Sequence, residues 1–223
     1  MSVFTSGKAK TAPSQTRPTR RRDSWFAWLK KPSPNLQVSE QLWLRVLEVP
    51  HTSTLFSLVE TNRAFLQEWL SWIETIQTEK DCRKFIEGVR YRDVFAGTWV
   101  YGVWYQGELV GLLDLNEGNR HDKQVSIGYW LGKQVLGRGI MTMCVLRCMD
   151  HLFRQEKVQK ILIKCASHNK RSEAIPLRLR FSWEGIEQDA GTLQGEEVAM
   201  HTYGMRATDW KDARALYLAS LEG

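Results

Sequence analysis

From residue 42 onward the apolar positions switch between strand-like and helical spacing, and each switch marks an element. Leu42-Trp43-Leu44-Arg45-Val46-Leu47-Glu48-Val49 reads as a strand, and after Pro50 a helical stretch opens at about Thr52. Asn62-Arg63-Ala64-Phe65-Leu66-Gln67-Glu68-Trp69-Leu70-Ser71-Trp72 reads as a short amphipathic helix capped by Asn62, with apolar residues at 65, 66, 69, 70 and 72. The next helix starts at Thr78, with an acid three positions on, and puts Cys82, Phe85, Ile86 and Val89 on one face. Thr98 to Tyr105, a Gln106-Gly107 turn and Glu108 to Leu115 predict a hairpin, and Gln124 to Leu131 predicts a third strand. A mostly apolar helix is expected from about Gly139 to Phe153, then a strand Val158 to Cys165 and a helix Lys170 to Leu179. Strands near Phe181 to Glu187 and Glu197 to Met205 and a helix after Thr208 close the chain. This is the order of one mixed α/β domain without an internal repeat.

At 223 residues and 43 % hydrophobic, the chain can bury one sizeable core. No apolar run approaches the roughly 20 residues that span a bilayer, so no transmembrane segment is expected. Cys82, Cys144, Cys148 and Cys165 lack the paired spacing of a disulfide framework, which points to a reducing, cytoplasmic setting. The net charge of +6 is unevenly placed: residues 1–34 hold eight basic residues against Asp23, which leaves the body at −1. The body therefore does not read as a nucleic-acid binder. Residues 1–34 are expected to be a basic, disordered tail, and residues 35–223 the folded domain. The tail's charge suits RNA or another acidic surface, while Trp25-Phe26-Ala27-Trp28-Leu29-Lys30-Lys31 suits either docking of two Trp on the domain or an interface. Pro13 and Pro18 interrupt any amphipathic transit helix, and the apolar run after the arginines is too short for a secretory signal.

Chemistry first shows in Tyr129-Trp130-Leu131-Gly132-Lys133-Gln134-Val135-Leu136-Gly137-Arg138-Gly139-Ile140-Met141-Thr142. A strand ends, a loop carries Gly137 and Gly139, and a helix begins, which aims backbone N–H groups and a positive dipole end at one point. Such a point suits a pyrophosphate, with glycines allowing close approach and Arg138 adding charge. Taken alone, Gly-x-Gly is equally the signature of a βα turn that binds nothing.

The surrounding motifs are more specific. Gln-x-x-Gly-x-Gly after Tyr-Trp-Leu-Gly resembles the acetyl-CoA pyrophosphate loop of the GCN5-related N-acetyltransferases (GNATs). Asn62-Arg63 to Trp72 resembles an entry helix of that family, and Ile127 to Gly132 with Gly137 to Thr142 resembles its RimJ/RimL branch. Asn169-Lys170-Arg171-Ser172-Glu173-Ala174-Ile175-Pro176 through Phe181, then Glu184-Gly185, Tyr203-x-Met205 and Asp209-Trp210, extend the resemblance over about residues 38 to 212. It implies a mixed, mostly antiparallel twisted central sheet flanked by helices, with acetyl-CoA as cosubstrate. The backbone of Leu136, Gly137, Arg138, Gly139, Ile140 and Met141, with Gln134, would hold the pyrophosphate. Tyr129, Trp130 and Leu131 would pair with pantetheine, and Asn169 and Ser172 would sit beside the thioester. Ser172 is the expected proton donor to the leaving thiolate, and both residue types also cap helices well.

Three positions depart from the family. Ser126 stands where many members carry a Glu base, Gly191 where RimL-type members carry a loop Glu, and Arg180 where a helix-ending glycine is usual. Asp114, Glu117, Glu187 and Asp189 are the nearby carboxylates. An α-amine, with a pKa near 8, is roughly a tenth to a fifth neutral at pH 7, whereas lysine is neutral at well under about one part in a thousand. A weak base is more tolerable for the α-amine, and the branch points the same way, so the expected acceptor is the N-terminus of a ribosomal or other protein. A small-molecule amine, or a non-catalytic CoA-binding module docking through the tail, are the alternatives, and a second copy of the chain is a further candidate partner.

Other chemistries find little support. Cys144, Cys148 and His151 share a helix face, but one helix seldom completes a tetrahedral site, so no metal is expected. The five histidines match no hydrolase triad, though His168 and His201 are candidates to border a substrate cleft, and Trp69, Trp72 and Trp104 to wall it.

Overall fold

The computed structural model describes residues 34–96, 99–117, 123–188, 192–193 and 195–222, so residues 1–33 of the expected tail lie outside the described residues. The chain runs β1 (Leu36–Gln37), β2 (Leu42–Val46), α1 (Thr52–Gln67), α2 (Glu79–Ala96), β3 (Val100–Tyr105), β4 (Glu108–Glu117), β5 (Gln124–Leu131) and α3 (Ile140–Arg154). It continues with β6 (Lys160–Ala166), α4 (Lys170–Arg178), β7 (Ser182–Glu187), β8 (Thr192–Leu193), β9 (Glu196–Glu197), β10 (Met200–Arg206) and α5 (Ala207–Glu222).

Among the described residues one sheet has the order β1-β2-β3-β4-β5-β6-β10-β7, and β8 and β9 form a separate ribbon. The expected hairpin joins β3 to β4, and both turn residues take left-handed backbone, Gln106 at φ 53 and Gly107 at φ 86, as two-residue hairpins require. Every pairing in the large sheet is antiparallel except that of β5 with β6. That parallel pairing involves only Gln124–Ser126 with Lys160–Leu162, while β5 stays paired with β4 as far as Leu131. The sheet therefore opens between β5 and β6 from Ile127 onward.

The two faces bury separate cores. On one, Leu55, Leu58, Val59 and Leu66 of α1 and Cys82, Ile86 and Val89 of α2 pack on Val100, Leu112 and Trp130. On the other, Cys144, Val145, Met149 and Leu152 of α3, Ile175 of α4 and Trp210 and Tyr217 of α5 pack on Leu113, Ile127, Ile161 and Ile163. Helix α3 reaches solvent only along a narrow stripe, Met143, Arg147, Asp150 and Arg154, because its other sides lie against this face and neighbouring elements.

Asn62 does not cap a helix. Buried positions 55, 58, 59, 62 and 66 form one stripe of a single helix, and Asn62 sits inside it, only 4 % exposed. Its Nδ2 donates to the Leu58 carbonyl at 2.9 Å and its Oδ1 accepts from the Lys133 N–H at 2.8 Å, which satisfies a polar group in a dry place. Beyond Gln67 the chain turns, and the Arg63 guanidinium holds the next segment by donating to the carbonyls of Ile73 and Ile76. At Thr78 the expected capping box forms: the Asp81 N–H donates to Thr78 Oγ1 at 3.2 Å and the Thr78 N–H to Asp81 Oδ2 at 3.1 Å. Helix α4 ends with Arg180 at φ 63, its N–H bonded to the Leu177 carbonyl and that of Phe181 to the Pro176 carbonyl. These are the two bonds of a Schellman motif, so Arg180 takes the left-handed role that glycine fills without strain.

Candidate active site

After Gly132 a short turn leads to Gly137, at φ 76, and Gly139, at φ 73, which is the N-cap of α3. A Cβ added at either glycine would meet no protein atom within 4 Å, because both face open space. The N–H groups of Ile140, Met141 and Thr142 open the first turn of α3 and have no partner within the helix. They border a cleft of about 990 Å3, at the upper end of the size that ligand sites occupy. The cleft lies where β5 leaves β6, and the start of α4 forms its other wall through Asn169, Lys170, Arg171 and Ser172. Two helix N-termini thus face one space. Among the described residues Lys133, Arg138, Lys170, Arg171 and Arg178 line it, and no Asp or Glu does. An anion with several phosphates suits this wall far better than a cation does.

At the inner end, Asn169 Oδ1 accepts the Ser172 N–H at 3.1 Å, capping α4. The Tyr129 hydroxyl donates to the Ser172 carbonyl at 3.0 Å, and Ser172 Oγ donates to the Tyr129 hydroxyl at 3.4 Å. The second contact is long for an O–H···O bond and restrains the serine hydroxyl weakly. Burial pushes the Tyr129 phenol well above its ordinary value, so it stays protonated.

A model of the acetyltransferase (GNAT) domain matches residues 41–182. The chain belongs to the GNAT acetyltransferase family. This acetyltransferase is 28 % identical over 158 residues to the ribosomal-protein-serine acetyltransferase of Escherichia coli (strain K12), covering 71 % of this chain and 88 % of that protein. It is 26 % identical over 176 residues to the putative ribosomal N-acetyltransferase YdaF of Bacillus subtilis (strain 168), covering 78 % and 96 %. A solved structure of RimL, an alpha-N-protein acetyltransferase of ribosomal L7/L12, in complex with coenzyme A superposes with a TM-score of 0.75 at 29 % identity, covering 78 % and 98 %. Acetyl-CoA is the cosubstrate of the family, and the cleft's size, cations and open glycines fit it.

Of the residues singled out from the sequence, the GNAT cleft brings together Tyr129, Trp130, Leu131, Leu136, Gly137, Arg138, Gly139, Ile140, Met141, Asn169 and Ser172. Gln134 is not among its lining residues: its side-chain amide lies against Gly132, where a Cβ would come within 2.7 Å of it. Trp69 and His168 line the cleft, with ring centroids 5.2 Å apart. Trp72 packs on Phe85 beside it, whereas Trp104 lies near His51 and Arg45, away from the cleft. His201 is also elsewhere, bonded through Nδ1 to Glu173 at 2.8 Å.

Sequence reasoning missed Glu173. Although buried, it accepts from Lys170 Nζ, the Tyr203 hydroxyl and His201 Nδ1, and these donors, Lys170 foremost, hold its carboxyl down at about 2. The cluster ties the first turn of α4 to β10. Lys133, Thr142, Arg171 and Arg178 were also missed as wall residues, and Arg178 donates to Thr142 Oγ1 at 3.0 Å, bridging α4 to the first turn of α3. Among the described residues no group of three or more His, Cys, Asp or Glu is placed to hold a metal, no helix is long and apolar enough to cross a membrane, and the four cysteines are free and buried. Of the carboxylates near the departures, Glu187 is exposed and pairs with Lys164, Asp189 and the side chain of Glu117 lie outside the described residues, as does Gly191, and Asp114 is buried.

Proposed function

We propose that this acetyltransferase moves the acetyl group of acetyl-CoA to the N-terminal α-amino group of a ribosomal protein, in the cytoplasm. The observation that carries the reading is the convergence of two helix N-termini and five cations on one cleft at the opening of the sheet. The amides of Leu136 to Met141 hold the pyrophosphate, and the backbone of Tyr129 to Leu131, unpaired by β6, accompanies the pantetheine arm. Asn169 fixes the start of α4, and Ser172 Oγ, weakly tethered to Tyr129, gives a proton to the leaving thiolate. Positioning of amine against thioester supplies much of the rate. The names of the similar proteins favour a ribosomal acceptor, and the basic charge of residues 1–34 suits a partner rich in RNA.

The test is release of CoA thiol from acetyl-CoA with peptides bearing free Ser or Ala N-termini, the same peptides N-blocked but carrying lysine, and small polyamines. Release confined to the free N-termini is the expected result. Release only with lysine or polyamines overturns the reading, and tight acetyl-CoA binding without any release points instead to a binding module.

A further inference from the structure

An amine acceptor arrives at neutral pH as an ammonium and must lose a proton before its nitrogen can attack. Among the described residues two carboxylates are buried, Glu173 and Asp114. Glu173 is saturated by three donors and held at about 2, which makes it a poor proton acceptor.

Asp114 is placed differently. It lies on β4 directly opposite Gly128 of β5, and because side chains alternate, it shares a sheet face with Ser126, Gly128 and Trp130. Its carboxylate leans across onto β5: a Cβ at Gly128 would come within 2.6 Å of Asp114 Oδ1, so a side chain there would push the carboxylate aside. Asn116, opposite Ser126, donates to Oδ2 and holds it in that attitude. The carboxylate thus occupies the space above β5 between Ser126 and Trp130, although it is rooted on the neighbouring strand.

That space is a cavity of about 10 Å3 lined by Leu70, Trp72, Phe85, Val100, Leu112, Asp114, Tyr129 and Trp130, room for about one water. Tyr129 and Trp130 also line the acetyl-CoA cleft, so the two spaces share a wall. Among the described residues lining the small cavity, Asp114 and Tyr129 are the titratable ones, and the Tyr129 phenol is kept protonated by burial.

We propose that Asp114 is the general base of the acetyl transfer, reaching over Gly128 to fill from β4 the place that Ser126 leaves empty of charge on β5. The inference rests on the amine-acetylation reading above. The ammonium passes one proton, through the single water the cavity admits, to the Asp114 carboxylate. The freed nitrogen forms its bond to the acetyl carbon as the carbon–sulfur bond breaks. A second proton leaves that nitrogen for solvent water, the thiolate gains one from the Ser172 hydroxyl, which takes a proton back from water, and Asp114 returns its own proton to solvent.

The test compares wild type with Asp114→Asn, and with Asp114→Ser combined with Ser126→Glu, over pH 6–9 as the experimental range. The acceptors are an N-terminal peptide and a small primary amine. For Asp114→Asn we expect kcat/KM to fall about 100- to 1,000-fold at neutral pH, with the deficit shrinking as rising pH deprotonates the amine, and acetyl-CoA affinity unchanged. The double variant returns a carboxylate to the same face along the strand diagonal, and we expect it to regain at least about tenfold. A rate within about threefold of wild type, a deficit that does not vary with pH, or a folded double variant as inactive as Asp114→Asn overturns the assignment. If Asp114→Asn does not fold, the double variant alone decides, activity within about tenfold of wild type supporting and inactivity overturning. Turnover of the small amine but not the peptide overturns the ribosomal reading and leaves the Asp114 arms readable. A wild-type protein that acetylates neither overturns both.

Discussion

Gly139→Ala separates backbone strain from ligand contact, because its two effects are read by different instruments. Gly139 sits at φ 73 as the N-cap of α3, and an added Cβ would touch no protein atom within 4 Å. Alanine in left-handed backbone costs about 1–2 kcal/mol, offset by roughly 0.5–1 kcal/mol from a less disordered unfolded chain. A net loss of about 0.5–1 kcal/mol lowers Tm by about 2 °C in a chain of this size. The methyl projects into the cleft, where it would lift a diphosphate off the N–H groups of Ile140 and Met141. Losing one charge-assisted hydrogen bond, at about 1.5–3 kcal/mol, weakens acetyl-CoA about tenfold to a hundredfold. Gly195→Ala is the control: it too has positive φ, 85, and open space at Cβ, but it belongs to the β8–β9 turn outside the cleft. Thermal unfolding and titration calorimetry with acetyl-CoA should show similar Tm losses in both variants and an affinity loss in Gly139→Ala alone. Equal Tm losses with unchanged affinity in both would refute the placing of the phosphates at this loop.

Three further perturbations address the supports of the site. Glu173 has its carboxyl at about 2 against an ordinary 4.5, so its contribution is present above about pH 4.5 and fades as pH falls toward 2. Allowing for the exposed Lys170 partner this is worth about 1–2 kcal/mol, and Glu173→Gln should flatten the pH dependence of the unfolding free energy in that window; an unchanged slope there counts against the three-donor cluster. Arg180→Gly should raise stability by about 0.5–1 kcal/mol, measured by denaturant midpoint, because glycine takes the left-handed position without strain; a lower midpoint would mean that the Arg side chain matters more than its backbone. Asn62→Ala leaves the half-buried Lys133 N–H without its acceptor, which should cost about 1–2 kcal/mol and raise KM for acetyl-CoA, whereas Asn62→Asp keeps the acceptor and should recover most of the KM effect; equal KM values in the two variants would detach Asn62 from the loop.

What was legible in the chain was whatever a few neighbouring residues decide. The hairpin turn at Gln106-Gly107, the Thr78–Asp81 box and the Gly137 to Gly139 loop each depend on backbone conformation or hydrogen bonds within about four residues, and each formed as expected. The Asn62 cap failed because a cap signal and a buried helical asparagine differ only in what lies across the helix, here the Lys133 N–H 71 positions away. The Glu173 cluster escaped for the same reason, since His201 and Tyr203 reach it only after β10 pairs with β6 in one register. Glycine shows the distinction within one residue type. Gly137 and Gly139 are needed for positive φ, a local demand that a sequence displays. Gly128 is needed because Asp114 lies over it, and Gly111 because the Trp130 carbonyl does, demands created by the β4–β5 register that no local pattern reveals. A residue's partners across a sheet are set by register, so a glycine loop opening a helix can be read from the chain, while the choice among Asp114, Glu117, Glu187 and Asp189, all visible as nearby carboxylates, waits on the pairing that lays Asp114 over Gly128.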